Sequence, residues 1–263
     1  MLSLGEGILQ MKTVTAITEF RAIRKSLGNK SVGFVPTMGA LHQGHLSLLE
    51  RSVSECEVTV LSIFLNPTQF NNPDDLKIYP VTLEQDLALA EQAGVDLVLL
   101  PDYNEIYADN FRFQLSENEF SKQLCGAHRE GHFTGVLTVV MKLLNIVKAD
   151  KAYFGKKDYQ QFQLVKDMAQ AFFLDVEIIG CETIREADGL AMSSRNTNLQ
   201  AEARKLAPRL HQLISEKSAD DEVARRLQAQ GFEVDYIETI EGRRYAAANL
   251  GPVRLIDNIQ LSG

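Results

Sequence analysis

Val32-Gly33-Phe34-Val35-Pro36-Thr37-Met38-Gly39-Ala40-Leu41-His42-Gln43-Gly44-His45 passes from a short apolar run, through a turn, to the start of a helix. Val32 to Pro36 reads as a strand. From His45 to Cys56, Leu46, Leu48, Leu49 and Val53 recur at near-helical spacing. A strand that ends in a turn and opens a helix is the repeating unit of a parallel α/β sheet.

The same rhythm continues along the chain. Glu57 to Leu65 (EVTVLSIFL) is a mostly apolar strand, as expected of one covered on both faces. Thr82 starts a helix with Thr at the cap, Gln85 three residues on and Gly94 at the end. Asp96 to Leu100 is a strand, Gly135 to Val147 a long buried helix, Ala152 to Phe154 a strand, Tyr159 to Phe173 a helix and Val176 to Ile179 a strand. These elements predict an α/β fold: a Rossmann-like, mostly parallel sheet with helices on both faces. Such sheets bind ligands at the carboxyl ends of their strands. After about Asn196 the pattern changes. A helix with Leu206, Leu210 and Leu213, a charged helix from Asp220 to Gln230 and strands at Phe232–Thr239 and Val253–Gln260 predict a smaller α+β lid. The expected division is residues 1–184 and 185–263.

The net charge of −8 gives no general attraction for nucleic acid or an anionic membrane, so a polyanionic ligand must meet a local basic pocket. No apolar run reaches the roughly 20 residues of a membrane span. Cys56, Cys125 and Cys181 are far apart and cannot all pair, which fits a reducing, cytoplasmic setting. Residues 1–10 read as a dispensable leader, with Met11 an equally good start.

Four segments carry candidate chemistry. In the first, His42 and His45 are three apart and face the same way at a helix start, and Gly39 and Gly44 allow close backbone approach. The helix N-terminus offers N–H groups and a positive dipole end to phosphate, and the imidazoles can donate to it as charge builds. The second, Asn66-Pro67-Thr68-Gln69-Phe70, offers amide donors and acceptors suited to a hydroxylated acid; it also reads as a simple turn. The third, Gly155-Lys156-Lys157-Asp158-Tyr159-Gln160-Gln161, puts two lysines after a strand, where Asp158 could hold a ribose hydroxyl or cap the helix. The fourth, Met192-Ser193-Ser194-Arg195, could clamp a triphosphate or merely cap the next helix. Two rival signals are set aside. Cys125, His128 and His132 have zinc-like spacing but lack an evident fourth ligand. Lys30-Ser31 lacks the upstream glycines of a P-loop.

Together PTMGALHQGH, NPTQF, GHFTGVLTVV, GKKDYQQ and DGLAMSSRN resemble, in order and spacing, the pantoate–β-alanine ligase family. The likeness runs from about Val32 to Asn196 and is weaker beyond. The first motif is similar to the HIGH signature of nucleotidyltransferases, and MSSR to its KMSKS counterpart. The resemblance implies ligation of pantoate to β-alanine through a pantoyl adenylate, with ATP and Mg2+, in a homodimer. It implies ATP contacts at Met38, Gly39, Ala40, Leu41, His42, Gln43, Gly44, His45, Gly155, Lys156, Lys157, Asp158, Ile184 (through its backbone), Met192, Ser193, Ser194 and Arg195. It implies catalytic roles for His42, His45, Lys157, Ser194 and Arg195, and pantoate and β-alanine contacts at Gln69 and Gln161. Magnesium would arrive on ATP, with Tyr79 and Asp86 near the phosphates. The sequence departs from the family at Val81, where arginine is expected, at Lys156, where Glu is common, and in CGAHREGHF, around Arg129. A nucleotidyltransferase with a phosphate-bearing acceptor is the main alternative, and a nucleotide sensor without turnover another. The amides of Gln69 and Gln161 suit an uncharged polyol acid better than a second phosphate.

Overall fold

The computed structural model describes residues 11–261; the expected leader, residues 1–10, lies outside them. Six strands, β1 (Lys12–Val14), β2 (Val32–Thr37), β3 (Val58–Ile63), β4 (Leu97–Leu99), β5 (Lys151–Gly155) and β6 (Glu177–Cys181), form one sheet in the order β1-β4-β3-β2-β5-β6. Every neighbouring pair is parallel. Eight helices accompany it: α1 (Ile17–Ser26), α2 (Gln43–Glu55), α3 (Pro73–Lys77), α4 (Leu83–Gln92), α5 (Tyr103–Ile106), α6 (Cys125–His128), α7 (His132–Val147) and α8 (Tyr159–Ala171).

Successive side chains of a strand point to opposite faces, and the two faces here feed two cores. Val32, Phe34, Val58, Val60, Leu97, Leu99, Ala152 and Phe154 pack with Phe20 of α1 and the apolar sides of α7 and α8. Val35, Leu61, Val98 and Tyr153 pack with Leu48 and Leu49 of α2 and Ala90 of α4. The strand order reverses beside β2: β3 and β4 lie on one side, β5 and β6 on the other. That switch opens a crevice at the carboxyl ends of β2 and β5.

The last third of the chain contributes α9 (Ala201–Leu206), α10 (Arg209–Ile214) and α11 (Asp220–Gln228), then β7 (Glu233–Ile240), β8 (Arg243–Leu250) and β9 (Val253–Gln260) as an antiparallel sheet. One face packs Ile237, Ala246, Ala248, Val253 and Leu255 against α10 and α11. The other face puts Tyr236, Tyr245 and Ala247 into the larger core. The small sheet is therefore covered on both sides.

Four local expectations are corrected. The helix through Leu206 and Leu213 is two helices, parted at Pro208, whose missing N–H and bulky ring interrupt a helix. Thr82 does not cap α4 with its side chain; its hydroxyl donates to Asp86 at 3.1 Å. The helix expected at Gly135 begins at His132. Strand β8, not among the expected strands, is the central strand of its sheet. Its Ala246-Ala247-Ala248 has weak strand propensity, but small residues fit where layers close on a strand from both sides.

Candidate active site

The crevice is a cavity whose first wall is the β2–α2 junction. His42 is the N-cap of α2 and His45 its third residue. His42 Nδ1 accepts from the Gly44 N–H at 3.1 Å, and His45 Nδ1 accepts from the His42 N–H at 3.3 Å. This is a reciprocal cap made by two imidazoles. The rings lie 4.1 Å apart, centroid to centroid. An Nδ1 that accepts leaves the proton of a neutral ring on Nε2. Burial, aided by the Lys157 charge, pushes His42 down to about 4. Burial, aided by His42 and Lys157, pushes His45 down to about 3. At neutral pH both rings are thus uncharged Nε2–H donors at the cavity edge.

The cap also corrects an expectation. The backbone N–H groups at this turn are largely taken: Ala40 and Leu41 donate to Asp86 at 2.8 Å each, and His45 donates to the His42 carbonyl. Imidazoles, not main-chain amides, are left to meet an anion. Gly44 has its own local reason, since a Cβ there would lie 2.8 Å from the His42 ring. Asp86 is 1% exposed and spends both carboxylate oxygens on Ala40, Leu41 and Thr82. It braces the turn from behind and does not line the cavity, away from the expected place beside the phosphates. Gly39, Ala40, Leu41 and Gln43 likewise shape the turn without lining the cavity.

The second wall comes from β5 and the single 3-10 turn Lys156–Asp158. Gly155, Lys157, Asp158 and Gln161 line the cavity. Lys157 Nζ lies 3.6 Å from Asp158, which does not cap α8 with its side chain. Lys156 pairs with Glu182, which lines the cavity, and does not line it itself, against its expected role. Met38 and Gln69 also line the cavity. The Gln69 amide donates to Met38 Sδ at 3.2 Å and accepts from Asn66 at 3.0 Å. Val136, Val139 and Val140 of α7 supply an apolar floor.

The third wall joins the two sheets. Ile184, Met192, Ser193, Ser194 and Arg195 line the cavity together with Tyr79. The Ile184 carbonyl accepts from the Met192 N–H, closing a small loop. Ser194 donates to the Ala40 carbonyl at 2.9 Å. Arg195 grips Asp75 of α3 with two bonds of 3.0 and 2.9 Å and lies over Tyr79 at 5.2 Å. Burial alone would raise the Asp75 carboxyl, but the Arg195 bonds outweigh it and hold it below its ordinary value.

The zinc-spaced residues diverge. Cys125 faces Tyr236 at 3.0 Å and Arg254 at 3.4 Å, His128 lies against the Tyr236 ring, and His132 turns toward Gln69. No cluster of three potential metal ligands occurs among the described residues. His132 is a support of the site that its zinc-like spacing does not reveal: its Nδ1 donates to the Gln69 carbonyl at 2.8 Å while Nε2 accepts from Arg129 at 3.2 Å. Burial foremost, then Arg129, pushes His132 down to about 3. Gly135 lets α7 approach the same turn, because a Cβ there would lie 2.4 Å from the Thr68 carbonyl. Asn66, buried at 1%, knits Thr68, Tyr107, Gln69 and α7 together. The sequence signal for Asn66 is its place three residues before Gln69, and for Gly135 the apolar character of α7; His132 has none that points to Gln69. Asp75 had no signal.

The family model for pantoate-beta-alanine ligase matches residues 11–260. A pantothenate synthetase of Bdellovibrio bacteriovorus is 53% identical over 244 residues, 93% of this chain and 97% of that one. One of Coxiella burnetii is 51% identical over 248 residues, 94% and 96% of the two chains. The crystal structure of the ligase from Francisella tularensis, complexed with beta-gamma ATP and beta-alanine, is 40% identical with a TM-score of 0.91, and the match covers 95% of this chain and 97% of that one. The Thermus thermophilus pantothenate synthetase structure is 39% identical with a TM-score of 0.88, covering 96% and 100%.

Proposed function

The chain belongs to the pantoate-beta-alanine ligase family, and from that premise we propose that it joins pantoate to β-alanine through a pantoyl adenylate, releasing AMP and pyrophosphate. The observation that carries this reading is the make-up of the cavity lining, which brings His42, His45 and Lys157 together with Gln69, Gln161 and the valines of α7. Two neutral donors and one cation suit a triphosphate. Uncharged amides beside an apolar floor suit an acid that carries hydroxyls and methyl groups.

In the first half-reaction a pantoate carboxylate oxygen attacks the α-phosphorus, and the bond from that phosphorus to the bridging oxygen breaks as pyrophosphate leaves. His42 and His45 donate from Nε2 to oxygens that gain charge, and Lys157 neutralises it. Ser194 and Arg195 complete the donor set. Ile184 offers its backbone to the adenine. Magnesium enters bound to ATP, since such ions are commonly held by substrate phosphates with few protein ligands. In the second half-reaction the β-alanine amine attacks the acyl carbon, loses a proton, and AMP departs with its oxygen.

We take residues 1–184 as the domain that carries most of the site and 185–263 as a smaller one that closes it. A homodimer in the cytoplasm belongs to the same reading; among the described residues no helix is long and apolar enough to cross a membrane. The test is product analysis. With ATP, pantoate and β-alanine, AMP, pyrophosphate and pantothenate should form in equal amounts, and pyrophosphate should appear with pantoate alone in the first turnover. Stoichiometric ADP would overturn the reading.

A further inference from the structure

Consecutive strand residues are both buried only when both faces of the sheet are covered. Asp257 and Asn258 of β9 are 4% and 6% exposed. Asp257 shares the face of Val253 and Leu255, toward α10. It accepts from Arg185 at 2.6 and 2.9 Å and lies 3.1 Å from His211 Nδ1. Asn258 shares the face of Ile256, toward the larger core. Its amide nitrogen donates to the carbonyls of both Lys156 and Lys157 at 2.9 Å, across about a hundred residues of chain. Its oxygen accepts from Arg243 at 2.7 Å, and the Arg243 guanidinium lies 3.8 Å over the Tyr159 ring. Asn258 does not line the cavity.

We propose that Asn258 is a positioning residue for the reaction: held by Arg243, it fixes the Lys156–Lys157 turn so that the Lys157 ammonium stands in the cavity beside His42 and His45. The proposal rests on the reading of Lys157 as a phosphate contact. The turn is one 3-10 turn without a side-chain cap, and such turns have poor hydrogen-bond geometry of their own. The lysine stem is flexible, so where its charge falls depends on how the backbone beneath it is held. Two neighbouring carbonyls need two donors from one direction. A primary amide supplies both, whereas a carboxylate of the same shape supplies none and faces the carbonyl oxygens with like partial charge. Asp257, on the other face of the same strand, holds Arg185 directly after Ile184. One dipeptide of the small sheet thereby braces two flanks of the nucleotide side.

The test uses the full chain with Asn258→Ala, Asn258→Asp, Lys157→Ala and the Lys157→Ala/Asn258→Ala double variant. Equilibrium affinities for ATP and for pantoate are measured, with pyrophosphate release in the presence of pantoate. Both Asn258 variants should weaken ATP binding about tenfold, the scale of one or two lost hydrogen bonds, and slow pyrophosphate release, while pantoate affinity stays within about twofold. The loss should vanish in the Lys157→Ala background, since Asn258 acts through that side chain. Additive losses, equal weakening of both ligands, or unchanged ATP affinity in folded Asn258→Ala would each overturn the proposal. If the Asn258 variants do not fold by circular dichroism, Arg243→Gln is the substitute: it frees the Asn258 oxygen and should weaken ATP about threefold, again only while Lys157 is present, and no loss there overturns the proposal. If Lys157→Ala leaves ATP affinity unchanged, the reading of Lys157 fails and this proposal with it. If Lys157→Ala weakens ATP and Asn258→Ala does not, this proposal alone fails.

Discussion

His42 and His45 reach the cavity from a helix start whose hydrogen bonds close within a few residues of sequence. Ser194 and Arg195 reach it from a segment whose polar groups are paired far along the chain, with Ala40 and Asp75. The histidine donors are fixed by local geometry and stay free at Nε2. The arginine must exchange a carboxylate for a phosphate before it can contribute. One side of the site is thus ready before substrate arrives, and the other carries an internal competitor for its charge. Preorganised donors give the larger catalytic gain, because no partner has to be displaced at the moment of reaction.

The largest expected effect falls on the ready side. His45→Ala should slow single-turnover pyrophosphate release, with pantoate present and β-alanine omitted, by about 10²–10³-fold. A rate near wild type at saturating ATP and pantoate would make His45 a structural cap and move the chemistry to Lys157, Ser194 and Arg195. Gln161→Ala should instead raise the pantoate concentration needed for half-maximal release by about tenfold, with little change in the maximal rate. An unchanged pantoate dependence would place the acid elsewhere in the cavity.

A smaller effect concerns acid stability. The folded value of His132 lies at about 3, below the ordinary 6.5 of an unfolded chain. Between these values the unfolded state binds more protons, so the stability contribution is intact above about pH 6.5 and is lost as pH falls toward 3. Thermal unfolding of His132→Gln should therefore depend less on pH than wild type across that window, by at most about 1.4 kcal/mol per pH unit. Equal slopes would show that His132 does not carry the burial assigned to it.

The smallest effect tests the competitor directly. Asp75→Asn removes the charge that holds Arg195, and ATP affinity should rise about twofold, the scale of a partly exposed ion pair. Weaker ATP binding in a folded Asp75→Asn would mean that Asp75 orients Arg195 for its task, and the contrast between the two sides would shrink.

Much of the fold follows from local pattern. Val32–Thr37 leads into Gln43–Glu55, and β3, β4, β5 and β6 occur where apolar runs are bounded by turns; β3 and β4 are apolar because they are buried on both faces. The His42/His45 pair was legible for the same reason: residues three apart at a helix start share a side. Ala246–Ala248 was not legible as strand, since its fitness lies in the layers closing on it. Nor does spacing separate Lys156, which faces Glu182, from Lys157, which faces the cavity. The adjacent side chains leave the turn in different directions, and distant elements decide what each one meets.

The sequence by itself determined the parallel α/β class, the strand-turn-helix that carries His42 and His45, and the residue types gathered for an anion and a hydroxylated acid, because each rests on periodicity or on neighbours within a few positions. Only the tertiary structure decided which groups remain free to act. Asp86 is spent on the turn it supports, Arg195 is held by Asp75, His132 holds Gln69, and Asn258 reaches the lysine turn across about a hundred residues. A hydrogen bond consumes a donor and an acceptor wherever they meet in space, and sequence distance carries no trace of such a meeting.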